Sequence, residues 1–519
     1  MREVDVIIVG LGPTGATLAG LLGRAGMSVA VFDRLPDLYP LPRAIGLDHE
    51  ALRIFQEMGL TDALQESIAP YRMTEYRGVD GAPIKRLDTL PEPYPLGWAP
   101  NYVFDQPGLE RTLRAALATI PKVSVHLSTE VVATGQEDGH VWADAQAAGQ
   151  DAPQRFTARY LVACDGGASP VRKRLGIALE DLDFDEPWLV VDAIVSDDKL
   201  KDLPQTQVQY CEPERPSTFV IGPGNHRRWE VMLLPGDSLS PDFPEDELWP
   251  LLRRWLQPGE AKIWRAAAYR FHGLVAESWR KGRILLAGDA AHMTPPFMAQ
   301  GMVSGLRDVH NLAWKLVRVL RGQASEALLD SYEEERCPHV RQTVLAAMAL
   351  GRIICERDPE RARQRDQELR AAQGGEVRVE YRQNLIPDLE HGLIRASDPL
   401  AGKLSPQPRV RAGGNEGLLD DFTGARVRVV LDSAPAPELL TAYRQAVAAL
   451  DGVLVHLDAD ATESPNELAV TEVQPLIRPW LQAQGRCMVV VRPDHYVYGS
   501  ASSLQEGLEL LEELKARLT

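Results

Sequence analysis

Val6-Ile7-Ile8-Val9-Gly10-Leu11-Gly12-Pro13-Thr14-Gly15 joins a short all-apolar run directly to a glycine-rich turn. The run predicts a buried strand, and the turn predicts a tight entry into a helix. Ala16 to Ala25 is rich in Ala and Leu and stops at Gly26, as a helix would. Ser28-Val29-Ala30-Val31-Phe32 then reads as a second strand ending at Asp33. The whole is a βαβ unit of about 30 residues.

Each glycine of the turn has its own use. Gly10 permits the turn, Gly12 lets a pyrophosphate approach the backbone, and Gly15 lets helix and strand pack closely. The positive end of the helix faces the phosphates. Asp33 follows Gly10 by 23 residues, where a carboxylate can accept bonds from the ribose of an adenosine. This fingerprint serves NAD and FAD alike. An NAD dehydrogenase would need its own catalytic Cys, Ser/Tyr/Lys or His set soon afterwards, and no such set is found. H-E-x-x-H, G-x-S-x-G and Walker motifs are also missing.

Outward from this unit, 519 residues predict two or three domains with large cores. With 45% hydrophobic and 25% charged residues, the chain falls outside disordered, collagenous and disulfide-scaffold classes. A net charge of −17 opposes binding to a phosphate backbone. Five scattered cysteines without a C-x-x-C pair suit reduced thiols in a cytoplasm and indicate no zinc site. Acids close to Met1 and the lack of a long apolar run argue against a signal peptide or membrane span. The expected location is cytoplasmic.

Val123 to Leu127, Glu130 to Thr134 and Tyr160 to Ala163 read as strands, and Leu109 to Ala118 as a helix. From 181 to 281, Trp188 to Val195, Thr206 to Tyr210, Thr218 to Ile221 and Trp229 to Leu234 read as antiparallel strands of an inserted sheet domain. Arg283-Ile284-Leu285-Leu286-Ala287 is another buried strand ending at Gly288-Asp289, with helices dominating 302–372. The expected division is 1–180 with 282–396, the inserted unit 181–281, a Pro/Gly/Arg-rich linker 397–414, and a small α/β domain over 415–519.

Two later motifs decide between the nucleotides. Asp165-Gly166-Gly167-Ala168-Ser169-Pro170-Val171-Arg172 resembles the D-G-x-x-S-x-V-R motif of single-component FAD-dependent aromatic hydroxylases, the class A flavoprotein monooxygenases. Gly288-Asp289-Ala290-Ala291-His292 with Pro295-Pro296 resembles their G-D-A-A-H-x-x-P-P motif. Arg43-Ala44, Gln106 to Glu110 and Tyr332 to Arg336 extend the likeness through roughly the first 390 residues. The implied fold is α/β: a Rossmann-like FAD-binding domain, an inserted antiparallel-sheet substrate domain like that of para-hydroxybenzoate hydroxylase, and a thioredoxin-like C-terminal domain without redox cysteines.

The resemblance implies that NADH or NADPH reduces FAD as a transient donor. O2 then forms a C4a-hydroperoxyflavin that hydroxylates an electron-rich ring. It assigns FAD contacts to Gly10, Gly12, Pro13, Thr14, Gly15, Asp33, Arg34, Arg43, Gln106, Asp165, Gly166, Asp289, Pro295, Gln300, Gly301 and Met302. Asp289 would accept bonds from the ribityl chain, and the helix starting near Gly301 would stabilise negative charge on the reduced ring. Relatives often carry G-Q-G-x-N where this chain has Ala299-Gln300-Gly301-Met302-Val303, so contacts at Val303 must come from the backbone. His292 reads as a packing or hydrogen-bonded residue.

For activation of the phenol, Tyr210, His49, Tyr269 and His272 are the candidates. Cys211 to Pro216, His226 to Glu230 and the Gly305 to Leu316 stretch look most like 3-(3-hydroxyphenyl)propionate hydroxylases, which implies a phenolic acid substrate and a place in phenol catabolism. The rival readings are a hydroxylase of a fused-ring polyketide or antibiotic and a non-enzymatic FAD-binding sensory or scaffold protein. The expected partners are the phenol and O2, without nucleic acid or membrane, and a homodimer is the assembly to test.

Overall fold

Five strands run parallel in the order Ile284–Leu286, Gln154–Ala163, Arg2–Val9, Val29–Phe32 and Val123–His126. The computed structural model describes residues 2–137, 139–458 and 466–518. Val6, Ile7, Ile8, Val29 and Val31 are fully buried, because helices cover both faces of a parallel sheet. The register pairs Val9 with both Phe32 and Ala163, and Ala163 with Leu286. These four strand ends are level. Gly10, Asp33, Asp165 and Asp289 are thus delivered to one edge of the sheet, where ligands bind in open α/β folds.

The second sheet has nine strands. Its centre is the antiparallel pair Leu179–Val195 and Ala261–Ala276, flanked by His226–Met232, Ser217–Ile221 and Gln207–Tyr210. The sheet extends beyond the expected 181–281 segment, because Thr74–Arg77, Pro83–Asp88, His292–Met293 and Val379–Tyr381 add strands at its two ends. One face packs Leu189, Val191, Val208, Phe219, Trp229 and Val231 under the helix Glu245–Leu252. The other face turns toward the first sheet.

The third sheet belongs to a C-terminal α/β unit. Arg428–Leu431, Val453–Leu457 and Glu467–Glu472 run parallel, and Met488–Val491 lies antiparallel beside the first of them. The 397–414 segment is not a tether: Arg409–Ala412 is a strand of this sheet, and Gln407 is fully buried with its amide donating to the Leu96 carbonyl at 2.7 Å. Its Pro and Gly content serves bends within packed structure. The unit docks on the helices Gly301–Leu320 and Asp330–Ile354 through buried charges. Arg492 donates to Glu335 and Asp494, Lys315 to Glu335, and Asn311 to Asp494, at 2.6 to 3.0 Å. Among the described residues, no helix is long and apolar enough to cross a membrane.

Candidate active site

At the end of the first strand Gly10 takes φ +102°, and a Cβ there would collide with the Cys164 carbonyl oxygen. The position therefore requires glycine on both conformational and steric grounds. Gly15 is equally confined, since a Cβ would strike the Gly10 carbonyl. At Gly12 a Cβ would meet nothing within 4 Å, so open space lies in front of the N-terminus of the helix Pro13–Arg24. Asp33 accepts from the Leu11 and Leu35 amides at 2.7 and 2.9 Å, which fixes its carboxylate beside this turn.

Two cavities meet here. One of about 330 Å³ is lined by Gly12, Pro13, Thr14, Arg43, Gln106, Gly166, Asp289, Gly301 and Met302, among others. A second of about 200 Å³ is lined by Gly10, Asp33, Arg34, Val131, Asp165 and Pro170, among others. They share Gly12, Arg43, Cys164 and Gly166 and so form one bent crevice.

Asp289 is exposed to this crevice, and no described donor reaches its carboxylate. The crevice walls around it limit its solvation and raise its pKa, against the pull of His292 and Arg43. The helix Gly301–Leu320 starts at the same wall, after Ala299 in the left-handed region at φ 55°. A phosphate-sized opening at one helix start, an unpartnered carboxylate and a second helix start in one crevice fit the pyrophosphate, polyol and ring of FAD.

Buried bonds hold these groups in place. Gln106 Oε1 accepts from the Arg43 and Ala44 amides at 2.9 and 2.6 Å, and its Nε2 donates to Glu110. His292 Nε2 bonds Asp308 at 2.7 Å, and Asp308 also accepts from the Gly288 amide and from Arg336. This bracket sets the turn that carries Asp289, so His292 is structural, as its motif position suggested. Asp165 accepts from Ser169 and from the Val171 amide, so it braces its own loop as well as lining the crevice.

Some expectations fall elsewhere. Gly15 packs behind the turn. Thr294 and Pro296 line the crevice in place of Pro295. Gln300 accepts from Arg307 and faces a separate cavity of about 500 Å³, which His49 also lines. His49 is held near pKa 4 by burial, outside the crevice lining. Tyr210 points into the apolar cluster under Glu245–Leu252, with Arg254 over its ring and its hydroxyl against Trp255 Nε1 at 3.3 Å. Its strand places Gln209 on the crevice-facing side, one residue out of step with the expectation. Tyr269 lies under Arg265, and His272 pairs with Asp185 at 3.7 Å; neither lines the crevice.

The residues missed are two acids on the inner face of the second sheet, beside Arg228, which the sequence offered as a flavin or nicotinamide contact and which lines the crevice. Asp192 sits fully buried between Arg228, His226 and Arg265, and Glu230 reaches the crevice wall. At the domain boundary Glu57, His310 and His495 also converge. There His310 bonds Glu57, and Arg428 donates to His495 Nδ1, which leaves the proton on Nε2 rather than a lone pair for a metal.

Residues 3–347 match the family described as FAD binding domain, and residues 402–517 match the HcaD C-terminal domain. The chain is 37% identical to the "Probable NADH-specific resorcinol 4-hydroxylase" of Rhodococcus jostii (strain RHA1), covering 99% of this chain and 95% of the relative. It is 36% identical to a "3-(3-hydroxy-phenyl)propionate/3-hydroxycinnamic acid hydroxylase 2" of Burkholderia vietnamiensis (strain G4 / LMG 22486), covering 96% and 93%. In fold it is similar to the flavin-dependent monooxygenase PieE in complex with FAD and substrate, at TM-score 0.82 and 21% identity, covering 99% of each chain. Aklavinone-11 hydroxylase with FAD and aklavinone follows at TM-score 0.80 and 23% identity, again covering 99% of each.

Proposed function

We propose a reaction from one premise: the chain belongs to the FAD-binding aromatic hydroxylases whose family model spans residues 3–347. The reaction is hydroxylation of a small phenol, with NADH as electron donor and O2 as oxygen source. The observation that carries it is the convergence of the Gly10–Gly15 turn, Asp289 and the Gly301 helix start on one crevice, closed on its far side by the inner face of the second sheet. NADH is favoured because the Rhodococcus relative is named for it.

When bound, FAD supplies the reducing electrons and the activation of O2. The chain's residues do the rest. The Pro13–Arg24 helix start and Gly12 would receive the pyrophosphate, and Asp33 and Asp289 would accept hydroxyl hydrogens. The Gly301 amide end offers positive potential to charge on the ring. The apolar wall of Ile45, Met293, Pro296 and Ala299 would keep water from a ring bound in the crevice. Arg34 and Arg43, both exposed at the mouth, are placed to meet the phosphates of a donor that docks and leaves.

The C-terminal unit is read as thioredoxin-like. Its strand–helix–strand start at Arg428–Leu431 and closing hairpin plus helix Leu504–Leu518 support this, and its lack of paired cysteines assigns it to assembly rather than redox work. The test of the reaction uses purified, FAD-loaded protein. Addition of a phenol should accelerate NADH oxidation and yield a product heavier by one oxygen. If no phenol in a broad panel does either, the reading fails.

A further inference from the structure

Behind the crevice, beyond the Pro296–Met298 turn, lies the cavity of about 500 Å³ that Gln300 faces. Ala299, Gly301 and Met302 line the crevice, whereas Met298 and Gln300 line this rear cavity. One short segment is therefore the partition between the two. The C-terminal unit closes the rear cavity with Lys403, Leu404, Trp480 and Tyr496.

A run of hydrogen bonds leads from the C-terminal unit to the partition. Tyr496 donates its hydroxyl hydrogen to Glu50 Oε1 at 2.9 Å, and no other described donor reaches that oxygen. Glu50 Oε2 accepts from Arg307 Nε, and Asp48 accepts from Arg307 Nη2. Two carboxylates thus share one guanidinium, and the Tyr496 hydroxyl supplies the donor that the second oxygen of Glu50 needs. Arg307 Nη1 donates to Gln300 Oε1 at 2.6 Å. The Gly301–Leu320 helix begins at Gln300, whose carbonyl accepts from the Ser304 amide at 2.8 Å. Tyr496, Glu50, Asp48, Arg307 and Gln300 are each at most 4% exposed, so water does not compete for these bonds.

Both ends of the run are anchored. In the C-terminal unit the Arg492 amide donates to the Tyr496 carbonyl at 2.8 Å, and Leu404 pairs with Tyr496. The same turn carries Arg492 and Asp494, which dock on the helices of the main body. At the partition Ala299 is held in the left-handed region at φ 55°, a conformation that persists only where neighbours enforce it. Arg382 Nη2 adds to that enforcement by donating to the Met298 carbonyl at 2.8 Å.

We propose that Tyr496 of the C-terminal unit is a positioning residue for the flavin: through Glu50, Arg307 and Gln300 it holds the start of the Gly301–Leu320 helix where its amides meet negative charge on the reduced ring. This rests on the proposed reading, in which that helix start faces the ring, and it gives the C-terminal unit a part in tuning the flavin beyond assembly. Gln300 then serves the cofactor from behind, with its side chain turned away from the crevice. A helix end acts on charge only over its first turn, so a small displacement there changes the stabilisation.

Tyr496→Phe removes one oxygen atom and leaves the Arg492 docking bonds in place. In full-length, FAD-loaded protein the variant should keep its flavin content and exchange the backbone hydrogens of residues 298–306 at least about threefold faster than wild type. Equilibrated with a redox dye at a fixed potential, its ratio of reduced to oxidised flavin should fall at least about threefold, because the amide end stabilises the reduced form less. Tyr498→Phe is the control. It removes a buried hydroxyl that bonds Glu513 within the C-terminal unit, and it should change neither reading. Gln300→Leu cuts the run at its far end; it should reproduce both changes, and adding Tyr496→Phe to it should change nothing further.

A wild-type flavin ratio in Tyr496→Phe, equal shifts in Tyr498→Phe, or additive effects of Tyr496→Phe and Gln300→Leu would each overturn the role of Tyr496. A wild-type result for Gln300→Leu would do so even if Tyr496→Phe did not fold. None of these measurements uses a phenol. Absence of oxygen gain with every phenol would therefore remove the proposed reaction and leave the positioning role standing, whereas failure of the flavin shift would remove the positioning role alone.

Discussion

Two regions bury acidic side chains, and they treat them in opposite ways. At the C-terminal docking surface Glu335 would be raised by burial, yet Arg492 and Lys315 pull it down to about 2. In the crevice wall Glu230 is raised, because burial dominates and the described hydrogen bonds of Arg228 and Arg265 go to other acceptors. The docking network balances internally, with two acids, Glu335 and Asp494, against two bases, Lys315 and Arg492. The crevice-side cluster also sets two acids, Asp192 and Glu230, against two bases, Arg228 and Arg265, but the described hydrogen bonds of those bases go to Asp192 and to backbone carbonyls, which leaves Glu230 without a donor. A satisfied buried cluster fixes how two units sit together, whereas an unsatisfied one signals that something outside the chain completes it.

The largest effect should come from breaking the satisfied cluster. Arg492→Ala leaves Glu335 and Asp494 buried without their shared guanidinium, and the loss in urea unfolding should be about 3–5 kcal/mol. The pH dependence follows from the same pair. A depressed carboxyl contributes stability above its unfolded value near 4.3, and that contribution is lost as pH falls toward about 2. Removing Arg492 should move this acid loss to higher pH. A loss below about 1 kcal/mol would mean that water reaches these charges and that the two regions do not differ in kind.

Asp289→Ala tests the unsatisfied side. Its carboxylate is exposed and has no protein donor, so the stability of the apo protein should stay within about 0.5 kcal/mol. FAD affinity should fall by about 1.5–3 kcal/mol, roughly ten- to a hundredfold, read from flavin absorbance per protein after gel filtration. Unchanged FAD content would move Asp289 out of the cofactor wall.

The satisfied and unsatisfied regions were not equally legible in the sequence. The crevice could be read because its residues follow buried strands in local motifs: the Gly10–Gly15 turn, Asp165 and Asp289 each come directly after an apolar run, and parallel register does the aligning. Tyr210 misled although Gln207-Val208-Gln209-Tyr210 alternates, because a tyrosine suits a pocket as well as a core, and here it shares the side of Val208 in the apolar cluster. Glu230 carries no local signal either, since an acid between Trp229 and Val231 reads as the outward position of a half-buried strand. The docking network was invisible because Asn311, Lys315, Glu335, Arg492 and Asp494 meet only after two units pack. The 397–414 segment has loop composition, and only its contacts with Pro95, Leu96 and the third sheet reveal it as core.

The smallest effect belongs to the rim of that same docking surface, and it isolates burial as the variable. Lys403 of the C-terminal unit lies 2.6 Å from Asp388 of the main body, with side chains 42% and 49% exposed. It crosses the same boundary as Arg492 with Glu335, and it joins a lysine to a carboxylate as Lys315 does with Glu335 inside the main body. Water solvates both partners in either state, so Lys403→Met, which keeps the apolar stem, should cost about 0.5 kcal/mol after allowance for screening. About 1 M salt should erase that difference, because the screening length falls to roughly 3 Å, while the deficit of Arg492→Ala should persist. If the rim variant lost as much as the core variant, pairing itself would hold the units together and burial would not be what separates the two regions.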